Sequence, residues 1–255
     1  MLRTIWFIII LWLHQVMILP LRWKAQTLRK QGKEAEARAM AVKVARSWAH
    51  LLLRLTGSNI TVHGKWPVQD GAALIVSNHQ GAFDIPILAG WMATPLAFVA
   101  KVELQKIPLI GKWMELIDCV FLAREDRRQA VLVAKQTTAL LKDGHSMVVF
   151  PEGTRSGSDN MLPFKKGSLG LAARAGVPIV PVALKNSYAV MPSGKPPICK
   201  AEVDVYIGDP IDPSTLSKEE LDVLHERVQT WIAERCGGEV VAPPAEENTS
   251  PNSKA

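Results

Sequence analysis

Two clusters in this chain hold residue types that do chemistry. The first, Asn78-His79-Gln80-Gly81-Ala82-Phe83-Asp84, sets a histidine and an aspartate apart by four residues, directly after an apolar run. Histidine is the side chain whose ordinary pKa suits a general base near neutral pH. A carboxylate at Asp84 would hold one ring nitrogen as donor and leave the other free to take a hydroxyl proton. This is the orienting logic of hydrolase triads without an enzyme nucleophile. The second cluster, Phe150-Pro151-Glu152-Gly153-Thr154-Arg155-Ser156, also follows an apolar run. A guanidinium binds phosphate oxygens in bidentate fashion, so Arg155 with Thr154 and the Gly153 backbone is suited to an anion. Together the clusters predict activation of a hydroxyl on a phosphorylated molecule.

Plainer readings exist for each residue. His79 and Asp84 are too far apart for one helical turn, so the pair needs a turn between strand and helix, which Gly81 permits. Asp84 could instead cap a helix beside a surface histidine. Glu152 sits oddly next to a phosphate. It could hold an arginine, bond a glycerol hydroxyl, or belong to a strand-end turn. Arg124 closes the run Cys119-Val120-Phe121-Leu122-Ala123 and passes into a loop, as an anion contact or a surface charge. Lys101, ending another apolar run, is a candidate for stabilising developing negative charge. Lys165 and Lys166 would add positive potential. There is no Gly-x-Ser-x-Gly elbow, Walker A loop, Gly-x-Gly-x-x-Gly or His-Glu-x-x-His. Cys119, Cys199 and Cys236 show no Cys-x-x-Cys pair, which reads as reduced thiols without a disulfide frame or zinc site. Neither a metal nor a resident cofactor is expected.

These residues must be held by a domain, and its pattern is legible. After Gly57, β-rich runs at 60–63, 72–77, 96–100, 119–123, 146–150, 178–184 and 201–207 alternate with helical candidates at 84–92, 110–117, 125–142, 167–176 and 215–235. Such alternation predicts an α/β fold, a mostly parallel sheet flanked by helices, spanning residues 57–236. Ligands bind such sheets beyond the carboxyl ends of the strands, where His79, Arg124 and Glu152 all fall.

Charge is uneven along the chain. Residues 1–56 hold ten Lys/Arg against two Glu, and the remainder holds twenty Lys/Arg against twenty-two Asp/Glu. A nucleic-acid enzyme would place its basic residues in the main domain, so no nucleic-acid partner is expected. Residues 5–21 are strongly apolar but only marginally long enough to span a bilayer. Only Arg3 supplies an n-region charge, and no small-x-small site follows Pro20, which reads against a cleaved signal peptide. A long helix is predicted from Arg22 to Leu55, with Val44, Trp48, Leu51 and Leu55 on one stripe. Tryptophans 6, 12, 23 and 48 suit a membrane interface, and Lys24, Arg29, Lys30 and Lys33 suit anionic headgroups. Residues 1–56 are therefore expected to form a two-helix membrane-anchoring motif. If the first helix spans, the basic excess after it puts the main domain on the cytoplasmic side of the cell membrane. Residues 237–255, rich in Pro, Glu, Asn and Ser, are expected to be a disordered tail.

From about residue 60 to 210 the chain resembles the glycerolipid acyltransferases, specifically the 1-acyl-sn-glycerol-3-phosphate acyltransferases. His79 and Asp84 match that family's His-x4-Asp block. Gly111, Phe121 and Arg124 match its second block, Phe150 to Ser156 its third and Val177 to Leu184 its fourth, in the family's order. The resemblance implies transfer of a fatty acyl group from acyl-carrier protein or acyl-CoA to the sn-2 hydroxyl of lysophosphatidic acid. His79 would be the base, Asp84 would orient it, and Arg124, Glu152, Gly153 and Arg155 would hold the acceptor's phosphate region. Membrane lipids are then the expected partners. Gly81-Ala82-Phe83 and Ala123 depart from the family's commonest residues, and relatives with similar blocks acylate other lysophospholipids or lyso-ornithine lipids. A phospholipid transacylase and a non-catalytic membrane scaffold are the remaining alternatives.

Overall fold

A computed structural model describes residues 2–123, 127–165, 167–192 and 197–242. The short apolar runs form seven strands: β1 (Asn59–His63), β2 (Leu74–Ser77), β3 (Leu96–Lys101), β4 (Val120–Leu122), β5 (Ser146–Val149), β6 (Ile179–Lys185) and β7 (Glu202–Ile207). They make one sheet in the order β1-β7-β6-β2-β5-β3-β4. Every neighbouring pair is parallel except β6 with β7.

The inner strands are apolar at successive positions because both faces of the sheet are covered. Ile75, Val148 and Val180 join one core, and the alternating Leu74, Val76, Met147 and Val149 join the other. The first core packs α3 (Glu34–Thr56), α4 (Asp84–Trp91) and α5 (Ile110–Leu116) through Leu53, Ile87 and Trp113. The second packs α6 (Arg127–Lys142), α7 (Gly170–Ala175) and α8 (Lys218–Cys236) through Leu141, Leu171 and Val228. The neighbours β2 and β5 thus send their outgoing helices, α4 and α7, to opposite faces. A crevice opens between the two loops at such a switch point. Those loops carry His79 and Arg155.

The helix expected from Arg22 to Leu55 is two helices. Ahead of it lies α1 (Leu2–Met17). Then α2 (Leu19–Lys30) stops, Gly32 takes φ +76°, and α3 begins at Glu34. Only glycine enters that left-handed region without steric cost, so the chain reverses there. α2 and α3 pack together and are pinned to the domain by Asp118, which meets Arg29 at 2.5 Å and Arg38 at 3.0 Å. α1 sets Phe7 against Phe83 but leaves Ile5, Trp6, Trp12, Leu13, Val16 and Met17 exposed. Among the described residues no single helix is long and apolar enough to cross a membrane. α1 and α2 pass that test only together, as a pair bent by 44°.

At the other end, part of the expected tail is placed. Met161 forms a bridge with Val240, accepting from Val241 N–H and donating to the Glu239 carbonyl. Residues 243–255 lie outside the described residues.

Candidate active site

β2 ends in a tight turn that leads straight into α4. Asn78 closes it against β6 as a strand residue would. Its amide donates to the Leu184 carbonyl at 2.8 Å and accepts from Leu184 N–H at 2.8 Å. Asp84, the first residue of α4, is fully buried beneath the turn. Its Oδ2 accepts from the backbone N–H of Gln80 (2.7 Å) and Gly81 (2.9 Å) and lies 2.6 Å from His79 Nδ1. A carboxylate only accepts, so Nδ1 carries the proton and Nε2 is the unprotonated nitrogen. The helix N-terminus further favours the negative charge.

The other carboxylate oxygen, Oδ1, lies 2.5 Å from the hydroxyl of Ser187, which donates to it. Gln80 Oε1 accepts from Ser187 N–H at 2.9 Å, and Gln80 Nε2 donates to Asp159 at 3.0 Å. His79 is thus held by Asp84, Asp84 by Ser187, and Ser187 by Gln80. The imidazole also stacks on Phe150, with centroids 4.2 Å apart and planes at 18°. Its freedom to rotate is therefore small before any substrate arrives.

The loop after β5 is knitted onto this turn. Ser156 N–H donates to the His79 carbonyl at 2.8 Å, and Gly157 N–H to the Gln80 carbonyl at 3.1 Å. Glu152 reinforces the junction from beneath. Its Oε1 accepts from His79 N–H at 2.7 Å and its Oε2 from Leu162 N–H at 2.8 Å, and it is buried. Burial pushes its carboxyl up to about 7, against the two N–H bonds that favour the charged form, with the nearby Asp84 charge adding to the rise. The folded state therefore binds a proton between the ordinary 4.5 and about 7 that the unfolded chain has released. That contribution to stability is full below about 4.5 and is lost as pH rises through 7, a change of about 3 kcal/mol.

Glu152→Gln should remove that pH dependence. It should also cost about 1–3 kcal/mol near neutral pH, because an amide has one acceptor for two buried N–H groups. Urea unfolding of both proteins at pH 5 and pH 8 checks this.

His79, Lys101, Gly153, Thr154 and Arg155 line one cavity of about 1110 Å³ at the carboxyl edge of the sheet. Asp84 and Glu152 lie behind that wall. Gly153 has φ +74°, so the turn favours glycine, and the tip of the Lys165 side chain lies against its open face. Five further cations line the cavity besides Lys101, which pairs with Glu103 at 3.1 Å: Lys135, Lys142, Arg155, Lys165 and Arg174. Among the described residues no carboxylate lines it. Arg124 and Lys166 lie outside the described residues. Among the described residues no three His, Cys, Asp or Glu side chains gather to hold a metal ion.

The sequence model of the family described as Acyltransferase matches residues 59–185, the stretch that carries His79, Asp84, Glu152 and Arg155. A 1-acyl-sn-glycerol-3-phosphate acyltransferase of Helicobacter pylori is 32% identical over 176 residues, which is 69% of this chain and 73% of that protein. The chain belongs to the acyltransferase family. The similarity extends to the chloroplastic 1-acyl-sn-glycerol-3-phosphate acyltransferase BAT2 of Brassica napus, 37% identical over 169 residues, 66% of this chain and 47% of that protein. The chain spans about half the length of several such curated relatives. The crystal structure of the 1-acyl-sn-glycerophosphate acyltransferase PlsC of Thermotoga maritima matches with a TM-score of 0.74 and 29% identity. It covers 92% of this chain and 96% of its own. The fold of that acyltransferase is therefore shared over most of the chain.

Three residues of this site carry no signal in the sequence. Asn78 and Gln80 sit inside the first cluster, but neither residue type announces a chemical role. Ser187 is 103 positions from Asp84 and is brought to it only by the β6 connection.

Proposed function

We propose that the chain transfers a fatty acyl group from an acyl thioester to the sn-2 hydroxyl of lysophosphatidic acid, giving phosphatidic acid. The observation that carries this is the orientation of His79. Its Nδ1 is locked on Asp84, and the ring lines a cavity rich in cations and free of described carboxylates. The names of the relatives point to the same acceptor.

In this reading His79 Nε2 takes the hydroxyl proton as the acceptor oxygen attacks the thioester carbonyl. The tetrahedral intermediate then expels the thiolate, which recovers the proton from the imidazolium. Asp84 stays ionised throughout and stabilises the imidazolium. Arg155, with Thr154 and the Gly153 backbone, meets the acceptor's phosphate, and Lys165 adds positive potential. Arg124 is assigned to the same phosphate. Lys101 is the candidate for stabilising the oxyanion. Glu152 we assign to positioning, because both of its oxygens are already bonded to backbone N–H groups.

The exposed apolar face of α1 and the basic residues of α2 would lay the enzyme on the cytoplasmic surface of the membrane, where acceptor and product reside. An interfacial enzyme need not extract either lipid into water.

Purified protein in phosphatidylcholine vesicles, given labelled palmitoyl-CoA or palmitoyl-carrier protein with lysophosphatidic acid, should form labelled phosphatidic acid. Activity confined to another lysolipid would overturn the acceptor. Product formed equally well without any thioester would make the chain a transacylase. Arg155→Ala should raise KM for lysophosphatidic acid about tenfold to a hundredfold, the cost of a charge-assisted phosphate bond. Its KM for the thioester should move far less, which initial rates with each substrate varied in turn will show.

A further inference from the structure

The carboxylate of Asp84 is held unevenly. Oδ2 takes its three bonds from the turn itself: His79 Nδ1–H and the backbone N–H groups of Gln80 and Gly81. Oδ1 has one partner among the described residues, the Ser187 hydroxyl at 2.5 Å. That bond joins positions 103 residues apart, and among the described residues it is the carboxylate's one tie to the fold outside the turn.

Ser187 opens a short 3-10 turn, Ser187–Val190, that follows β6. This turn packs directly on the catalytic one, since a Cβ at Gly81 would lie 3.1 Å from Tyr188 Cα. Ser187 is 1% exposed and does not line the cavity, so its hydroxyl meets no substrate. Two further side chains fix its place. Gln80 Oε1 accepts from Ser187 N–H at 2.9 Å, and Asp159 Oδ1 accepts from Gln80 Nε2 (3.0 Å) and from Asn186 N–H (2.9 Å). Asn186 takes φ +62°, a left-handed conformation that asparagine enters more readily than most residues, and the chain leaves β6 there with Ser187 against Asp84.

The hydroxyl has one proton and two acceptors within reach, Asp84 Oδ1 at 2.5 Å and Gln80 Oε1 at 2.9 Å. The carboxylate is nearer and charged, and Gln80 Oε1 already holds Ser187 N–H, so the proton goes to Asp84.

We propose that Ser187 is a positioning residue for the reaction, acting on His79 through Asp84. The inference rests on the acyl transfer proposed above. When His79 takes the acceptor's hydroxyl proton, positive charge appears on a ring whose Nδ1 lies 2.6 Å from Oδ2. A carboxylate anchored at both oxygens meets that charge without moving, and preorganised stabilisation of this kind raises rate. The terminal torsion of an aspartate is intrinsically broad, so rotamer preference does not set the angle of the carboxylate. With Oδ1 released, the group can turn about Cβ–Cγ and the imidazole loses its fixed bearing.

Ser187→Ala should lower kcat by about tenfold to a hundredfold, the range of one hydrogen bond to a charged group. KM for lysophosphatidic acid and for the thioester should each stay within about twofold, because the residue touches neither. In an Asp84→Ala background the same substitution should leave kcat where it is, since the group it acts through is gone. Circular dichroism checks that each variant is folded. Unchanged kcat in Ser187→Ala would overturn the proposal. So would an equal loss in both backgrounds, the mark of a purely structural role, or a rise in KM alone, which would make Ser187 a substrate contact.

Solvent exchange of the His79 Nδ1–H proton, read by NMR without substrate, separates this proposal from the transfer reading. Ser187→Ala should speed that exchange about tenfold or more, because the bond to Oδ2 opens more often. Faster exchange in the variant supports the positioning role even if wild type transfers no acyl group. Unaltered exchange sinks it whether or not transfer occurs.

Discussion

His79→Ala should lower kcat for acyl transfer by about 10³-fold or more, near the upper range for removing a positioned general base. The structure gives two reasons for a large effect. The imidazole reaches the cavity with its unprotonated nitrogen already selected by the Asp84 bond, so wild type needs no reorganisation of the base. Besides this ring, no other histidine, aspartate or glutamate among the described residues lines the cavity, so no neighbour can take over the proton. The fold should survive. Asp84 keeps its bonds from Gln80, Gly81 and Ser187, and Glu152 bonds the backbone of residue 79, which alanine retains. The loss in stability should be about 1–3 kcal/mol, from one buried charged bond and the stacking on Phe150. Residual activity above a tenth of wild type, in protein of normal circular dichroism, would remove His79 from the base role.

Much of this arrangement was readable in the chain because parallel strands buried on both faces have a plain signature. Runs such as Leu74-Ile75-Val76 and Met147-Val148-Val149 are short, apolar and rich in β-branched residues, so all seven strands fell within a residue or two of their places. Strand direction was another matter. β7 runs against β6, and its alternation Glu202-Val203-Asp204-Val205 marks a half-exposed strand without fixing its direction, since the edge strand β1 alternates too and pairs in parallel. The break at Gly32 was missed for a similar reason. The surrounding Arg, Lys, Gln and Glu are all good helix formers, and only the left-handed φ of one glycine, a tertiary choice, separates α2 from α3. Glu152 and Ser187 show the limit most clearly. A glutamate beside an arginine suited to an anion reads as a substrate contact until the backbone N–H groups of His79 and Leu162 are seen at its oxygens. Ser187 has no local signal at all, since its meaning comes from Asp84 across the β6 connection.

Asp84→Asn should lower kcat by about 10²–10³-fold, and the network predicts why the loss stops there. The carboxylate receives four donors: His79 Nδ1–H, Gln80 N–H and Gly81 N–H at Oδ2, and the Ser187 hydroxyl at Oδ1. An asparagine has one acceptor oxygen and one amide that only donates. Two fixed backbone N–H groups reject that amide at the Oδ2 position. The Ser187 hydroxyl can turn its proton away and accept from it at Oδ1. The carbonyl therefore takes the place of Oδ2, and His79 keeps both its orientation and its tautomer. What disappears is the negative charge facing the imidazolium when the ring takes the hydroxyl proton. At about 4 Å and an effective dielectric near 20, that charge is worth about 4 kcal/mol, close to the 10³-fold end of the range. The measurement is kcat with saturating donor and acceptor, together with the nitrogen NMR shifts of the His79 ring. A preserved Nδ1–H signal with kcat down a hundredfold or more would establish charge stabilisation as the contribution of Asp84. A switch to Nε2–H would show that orientation dominates instead. An unchanged kcat would leave the dyad a structural feature of the turn.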